Sequence, residues 1–372
     1  MRVLHIFKIY FPDAYGGIEQ AIHSLASRSM AQGIESRVLT LSPRGKIFDA
    51  DTSGYSIHRY PRNLDVASTG MSLQFLMRFR REAAWADLLH FHFPWPFGDL
   101  AYLMSGIETP AVMTYHSDIV KQAQLLRLYR PLRDRHLGRM ARIVATSPNY
   151  VASSEVLQQW RDKVEVVPCG IATVKPRDQE AIWRWRQQIG ERFFVFLGVP
   201  RYYKGLDFLL EALVGRDYPL ALIGDGAERA ALEGRVRALG LKNVHFLGLL
   251  NDEEKADVLA AASGFVFPSH VRTEAFGLAL AEAAQQGLPM ISCEIGTGTS
   301  FVNLHQETGL VVPPRDSHAL GEAMDCFWND PEQAKLWGRN ARARYLELFT
   351  EDAMVRGYVR CYRDVLGQSP AP

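Results

Sequence analysis

The sequence predicts an α/β protein made of two doubly wound parallel-sheet domains facing across a cleft. Three observations carry that reading. The 372 residues accommodate about two domains at roughly 150 residues each. Short apolar, β-branched or aromatic runs bounded by Gly, Pro, Asp or Asn alternate with helical patterns. The rhythm then runs a second time, after a polar connector that reads Val167-Pro-Cys-Gly-Ile-Ala-Thr-Val-Lys-Pro-Arg177.

Taken in order, the first series places strands at 3–9, 36–41, 88–93, 111–115, 142–146 and 163–167, with a helix over 17–32 behind the first. The second series places them at 193–197, 220–223, 244–247, 264–268, 290–292 and 309–312. Strands separated by helices pair in parallel, with helices on both faces of the sheet. The boundary falls near Ile171, giving domains 1–171 and 172–351. From 331 to 367 the chain reads as helix without another strand, and its last helix, about 352–372, is expected to cross back to the first domain. Ligand sites in such folds lie beyond the carboxyl ends of the strands.

Composition narrows the function. Hydrophobic residues make up 47% and charged residues 22%, which excludes disordered and fibrous classes. Forty-two Lys and Arg against 41 Asp and Glu leave +1, so no global field marks a nucleic-acid binder. Cys169, Cys293, Cys326 and Cys361 are widely spaced, without a metal or redox pair, as expected of a reducing compartment. The N-terminal apolar run holds Lys8 and meets Pro12 and Asp13, so it reads as a strand rather than a signal peptide. No apolar run reaches about 18 residues, so no membrane span is expected. The expected location is cytoplasmic, with peripheral contact at the inner face of the cytoplasmic membrane as an option.

Three segments carry chemistry. Gly16-Gly17-Ile18-Glu19 follows the first strand and opens a helix, so bare N–H groups suit a phosphate or a sugar oxygen; a tight strand-to-helix turn is the plainer reading. Leu197-Gly-Val-Pro-Arg201-Tyr-Tyr-Lys204-Gly205 puts two cations in the loop before a helix that begins near Leu206. They suit a diphosphate or form a solvated pair. Glu274-Ala-Phe-Gly277-Leu-Ala-Leu-Ala-Glu282 follows a strand ending in Phe267-Pro268-Ser269. With a helix starting near Phe276, Glu274 stays in the loop, while Glu282 lies two turns inward and needs a hydroxyl or a cation as partner.

Together with Asp87-Leu-Leu-His90-Phe-His92-Phe-Pro94, Thr114-Tyr-His116-Ser-Asp118 and Gly224-Asp-Gly226, these segments resemble the retaining glycosyltransferases of family 4, with their E-x7-E signature and GT-B fold of two Rossmann-like domains. The resemblance covers almost the whole chain, and it reaches in particular to bacterial O-antigen and lipopolysaccharide mannosyl- and rhamnosyltransferases. It implies a hexosyltransferase that takes a nucleotide diphosphate sugar, with GDP-mannose or GDP-rhamnose favoured over a UDP-sugar. The acceptor would be a glycan, lipid-linked or a free oligosaccharide. By the same resemblance Arg201 and Lys204 hold the donor pyrophosphate, helped by Phe276, Gly277 and Leu278 at the helix start and by the Gly16-Gly17 loop. Glu282 meets the ribose, Glu274 the donor sugar, and His116 lies beneath the sugar ring. His90 and His92, two apart on a strand, share a face and either line the acceptor side or fill the core.

The pattern departs from the family at Glu294-Ile-Gly296-Thr-Gly298-Thr-Ser300, where a Gly-Gly turn is common, and at Cys169, where Asn is frequent. Asp49-Ala-Asp51 resembles a metal-binding pair but sits in a polar loop, so no metal and no cofactor are expected. The stretch 121–142 carries Lys121 and six arginines interleaved with leucines; it suits an anionic membrane face, a solvated helix or, more remotely, RNA. The competing functions are a GT-B sugar-nucleotide epimerase or phosphorylase and, outside enzymes, a two-domain sugar-binding protein.

Overall fold

The computed structural model describes residues 1–45, 47–49, 54–119 and 123–368. Two compact units divide the chain: Met1–Gly170 together with Glu351–Pro372, and Ile171–Thr350.

The first unit contains β1 (Arg2–Ile6), β2 (Glu35–Ser42), β3 (Ile47–Asp49), β4 (Ser56–Pro61), β5 (Leu64–Val66), β6 (Thr69–Met71), β7 (Leu88–Phe93), β8 (Ala111–Tyr115), β9 (Arg142–Ala145) and β10 (Val164–Val166). Eight of these form one sheet in the order β10-β9-β8-β7-β1-β2-β4-β3, parallel except for β3 at the edge. β5 and β6 make a separate antiparallel hairpin. Strands β3 to β6 lie beyond the sequence prediction, because strands of three to six residues carry too little periodicity. Asp49 ends β3, so it sits on a strand rather than in the predicted loop, and Asp51 falls outside the described residues. The helix expected over 17–32 is α-helical over Gly17–Arg28 and tightens to a 3₁₀ turn at Ser29–Gln32, closed by Gly33 at φ 75°.

The helix Glu351–Val365 belongs to this unit. Its Met354, Val355, Tyr358, Val359 and Tyr362 are buried with Val3, Leu88, Val112, Val144 and Val167. Its first turn is anchored by Glu351, which accepts from Ser24 Oγ at 2.5 Å and pairs with Arg28 at 2.6 Å.

The second unit holds β11 (Phe194–Leu197), β12 (Leu220–Ile223), β13 (Val244–Gly248), β14 (Gly264–Phe267), β15 (Met290–Cys293) and β16 (Gly309–Val312). All pair in parallel, in the order β13-β12-β11-β14-β15-β16. β11, β12, β14 and β15 are buried along their length, which is why they read as unbroken apolar runs. The strand order reverses between β11 and β14, and in the first unit between β1 and β7. At such switch points neighbouring loops leave on opposite faces of the sheet and open a crevice.

Candidate active site

In the second unit the switch point brings together two motifs about seventy residues apart in the chain. After β11, Arg201 begins a short 3₁₀ turn, Tyr202–Lys204, and Gly205 at φ 71° starts the helix Leu206–Ala212. Gly205 admits no side chain: a Cβ there would stand 2.1 Å from the Pro268 carbonyl oxygen. That close approach binds the β11 loop to the β14 loop. It sets Lys204 Nζ 2.5 Å from Glu274 Oε2, with both side chains nearly buried, at 12% and 13% exposure. Ser269 Oγ lies 3.5 Å from the same carboxylate oxygen, and Lys204 Nζ sits 4.7 Å over the Phe267 ring. Arg201 is exposed.

The helix after Glu274 spans Leu278–Gln285 rather than starting at Phe276. Gly277 adopts φ 82° as its first flanking residue, a left-handed turn that delays the helix by two positions and leaves Phe276 buried before it. Glu282 is partly buried on that helix, 3.8 Å from Lys255 Nζ, which also pairs with Asp252 at 2.7 Å. Burial pushes the Glu282 carboxyl above the ordinary carboxylate range, and the Lys255 charge only partly opposes it. The cationic partner that an inward carboxylate demands is therefore Lys255, which the sequence hides within Asp252-Glu-Glu-Lys255.

The departing segment at 294–300 has a structural task. Thr297 Oγ1 donates to the Glu274 carbonyl at 2.8 Å, and Gly298 N–H to the Ala275 carbonyl at 2.8 Å. A Cβ at Gly298 would meet Phe276 Cα at 2.8 Å. This loop buttresses the backbone that carries Glu274, while Glu294 folds back to accept from Gly296 N–H and Ser300 Oγ.

In the first unit the Gly16-Gly17 turn does open the helix Gly17–Arg28, but Glu19 reaches back over it. Its carboxylate oxygen lies 2.6 Å from where a Gly16 Cβ would be. Burial raises the Glu19 carboxyl above its usual range.

His90, His92 and His116 share one face of this sheet. Register explains it: His5 on β1 pairs with His90, and His92 on β7 pairs with Thr114, two residues before His116. All four imidazoles are buried. His116 Nε2 lies 3.1 Å from His92 Nδ1, and His92 Nε2 lies 3.4 Å from His5 Nδ1. Burial lowers His5 and His116 to about 3, so both are neutral at pH 7. Each neutral imidazole donates from one nitrogen and accepts at the other, so the proton on His92 decides whether His116 Nδ1 is a donor or an acceptor. The loop that follows His116 is tied down at Asp118, which accepts from Tyr115 OH at 2.9 Å and from Ser154 Oγ at 2.8 Å.

His90 points to the core. Its ring nitrogens lie 2.7 Å from Thr114 Oγ1 and 2.7 Å from Tyr362 OH. His5, His90 and His92 hold their ring nitrogens within 4.8 Å of one another, a metal-like grouping among the described residues. With both His90 nitrogens engaged by hydroxyls, the trio reads as a hydrogen-bonded core rather than a ligand set. His5 went unnoticed in the sequence because a lone His in an apolar strand gives no signal until its neighbours are known.

Solved structures share this fold along the whole chain. Sucrose-phosphate synthase from Thermosynechococcus elongatus superposes with a TM-score of 0.82 at 24% identity, covering 99% of this chain and 100% of that one. HepE from Anabaena, solved with UDP, does so at 0.79 and 18%, covering 98% and 100%. The architecture is GT-B, two Rossmann-like parallel-sheet domains, as the motifs implied. Residues 15–175 match the family described as Glycosyltransferase Family 4, and residues 178–344 match Glycosyl transferases group 1. The D-rhamnosyltransferase WbpZ of Pseudomonas aeruginosa is 50% identical over 353 residues, 94% of this chain and 92% of that protein. The O-antigen chain mannosyltransferase C of Escherichia coli is 45% identical over 372 residues, 98% and 99% of the two chains. The chain belongs to the family 4 glycosyltransferases, and it is a hexosyl-transferring enzyme rather than an epimerase, a phosphorylase or a sugar-binding protein.

Proposed function

We propose that this enzyme transfers mannose or rhamnose, with retention at the anomeric carbon, from a GDP-linked donor to a lipid-linked glycan during bacterial O-antigen synthesis. The observation that carries the reading is the Lys204–Glu274 pair at the switch point of the second unit, 2.5 Å apart. A cation beside a carboxylate suits a diphosphate sugar, since one group meets the phosphate and the other the sugar hydroxyls. The sugar and pathway come from the two relatives, named for rhamnosyl and O-antigen mannosyl transfer.

In this mechanism Arg201 and Lys204 neutralise the charge that develops on the departing diphosphate, helped by the backbone amides at Gly277 and Leu278. Glu282 accepts from the ribose hydroxyls. Glu274, freed from Lys204 as the phosphate arrives, accepts from the donor sugar. His116 lies beneath the ring, and Glu19 at the Gly16-Gly17 turn offers an acceptor for a hydroxyl. The departing phosphate oxygen takes the proton of the attacking acceptor hydroxyl on the same face, so no protein base is needed and the configuration is kept. Protein cations do the work of a metal, and the proposal is a metal-independent reaction.

Contact with the inner face of the cytoplasmic membrane is part of the reading. Within the helix Ala123–Arg139, Leu125 and Leu128 are exposed beside Arg127, Arg130 and Arg135, a pattern suited to an anionic interface. The surface is narrower than 121–142 suggested: Arg133 is buried and bonds Asp134 at 2.7 Å, His136 and Leu137 are buried, and Lys121 lies outside the described residues. Among the described residues no helix is long and apolar enough to cross a membrane.

The test incubates the full chain with GDP-mannose, GDP-rhamnose or UDP-glucose and a lipid-linked O-antigen acceptor, with and without EDTA, and reads the new linkage by NMR. An α-linked product from an α-linked GDP donor, insensitive to EDTA, is expected. An inverted linkage, or activity abolished by chelation, overturns the mechanism; exclusive use of UDP-glucose overturns the donor.

A further inference from the structure

A second binding feature lies in the first unit, built from residues that have no part in the donor chemistry above. The helix Leu73–Ala83 buries Phe75, Phe79 and Ala83 against the sheet. Its opposite stripe, at i, i+4, i+7 and i+8, carries Leu73 and Met77, 65% and 66% exposed, followed one turn on by the exposed Arg80 and Arg81. Among the described residues no carboxylate pairs with Arg80 or Arg81. Beside the first turn runs a groove of about 460 Å³, lined by Met71, Leu73, Leu76 and Phe97. Its rim is held by Asn63, whose side chain accepts from Leu73 N–H at 3.0 Å. The apolar surface continues on both sides. The β5–β6 hairpin exposes Leu64 and Val66, and the helix Pro96–Ser105, which packs on this one, exposes Leu100 and Met104 on the stripe of Phe97.

Scattered surface leucines need no explanation, but a continuous exposed patch around a groove marks a binding surface. Here the patch is polarised: hydrocarbon at one end of a helix stripe and two unpaired guanidinium groups at the other. That order matches an amphiphile with an apolar chain and an anionic head, since guanidinium binds phosphate oxygens in a fork.

We propose that this groove binds the isoprenoid diphosphate anchor of the acceptor as a single molecule, the chain lying along Met71, Leu73, Leu76, Met77 and Phe97 and the diphosphate meeting Arg80 and Arg81. The inference rests on the lipid-linked acceptor proposed above and names where its lipid is held. It gives a role to the hydrocarbon that an enzyme acting on sugars keeps exposed on its first unit.

The experiment is calorimetry of the full chain with geranylgeranyl diphosphate, below its micelle concentration, against inorganic pyrophosphate and against vesicles of anionic phospholipid. Geranylgeranyl diphosphate should bind at least tenfold more tightly than pyrophosphate. Leu73→Ser with Met77→Ser, and separately Arg80→Glu with Arg81→Glu, should each weaken it at least tenfold. These side chains are exposed, so melting temperature and GDP affinity should not change. Equal binding of pyrophosphate and the prenyl compound, parental affinity in both variants, or binding confined to vesicles would each overturn the proposal. Transfer to an acceptor glycan with a short alkyl aglycone separates the two claims. If that transfer survives in the variants while prenyl binding was never present, the groove is wrong and the proposed function stands; if no glycan is ever glycosylated, the proposed function fails and calorimetry still decides the groove.

Discussion

Lys204→Met is the most informative single change, because one ion pair carries both stability and chemistry. At 2.5 Å and an effective dielectric of about 20, the gross attraction is about 6 to 7 kcal/mol, most of it offset by the desolvation of both groups. Breaking a fully buried pair costs about 3–5 kcal/mol and an exposed one under about 1, so side chains at 12% and 13% exposure place Lys204→Met at about 2–3 kcal/mol. For a unit of this size that is a fall in melting temperature of about 4 to 12 °C. Glu274→Gln should cost less, since a neutral amide tolerates the same surroundings. The double variant should recover a coupling energy of about 1–2 kcal/mol. Turnover in Lys204→Met should drop about 100- to 1,000-fold through loss of charge stabilisation on the leaving group. GDP at 100 times its dissociation constant should add about 2.7 kcal/mol of stability to the parent and much less to the variant. Thermal and urea denaturation of the four proteins, with and without GDP, measure the stability terms, and steady-state kinetics measure the turnover. If the single effects sum to the double effect within about 0.5 kcal/mol, the pair is uncoupled in solution and the reasoning fails.

Three further outcomes follow from the geometry. Because burial raises the Glu282 carboxyl, the fold holds more protons there than the unfolded chain, and stability falls as pH rises through the raised value. Glu282→Gln should therefore melt no lower than the parent at pH 7, yet bind GDP more weakly; as pH falls toward the carboxylate range GDP affinity should decline in the parent and stay flat in the variant, and a parallel decline in both would remove Glu282 from the ribose. His92→Leu cuts both links of the His5–His92–His116 chain, so turnover should fall at least tenfold with GDP affinity unchanged, and His92→Gln, which keeps one donor, should restore part of it; steady-state kinetics with calorimetry tell this apart from misfolding, which would depress both. Reversing Arg127, Arg130 and Arg135 to Glu should release the protein from anionic vesicles in a flotation assay at low salt, each cation near the surface being worth about 1 kcal/mol. Equal flotation of parent and variant would leave this helix a merely solvated face.

The long buried strands were legible in the chain because parallel strands covered on both faces must be apolar throughout, as Leu88–Phe93 and Phe194–Leu197 are. The loops that follow them were legible for the same reason: Gly, Arg, Lys and Glu interrupt the apolar code where the backbone turns at a strand end. Gly205 and Gly277 are needed for left-handed turns that other residues adopt at a cost, and they marked the starts of the helices Leu206–Ala212 and Leu278–Gln285 to within two residues. The edge strand β3, its neighbour β4 and the β5–β6 hairpin escaped because segments of three to six residues are too short to set up a strong pattern.

What the chain alone determined was the set of chemical groups and the order of elements that carry them. Which groups meet was decided by the tertiary structure. Lys204 and Glu274 become a pair only because β11 and β14 are neighbours in the sheet although β12 and β13 lie between them in sequence. His5 joins His92 through the pairing of β1 with β7, and Glu282 finds Lys255 from a separate helix. Glu19 folds back beside the Gly16-Gly17 helix start, a neighbour that the turn by itself does not announce. Sequence periodicity reports which face of an element is buried; it holds no record of the partner on that face, since hydrophobic burial is non-directional and strand order is settled only when the whole sheet closes.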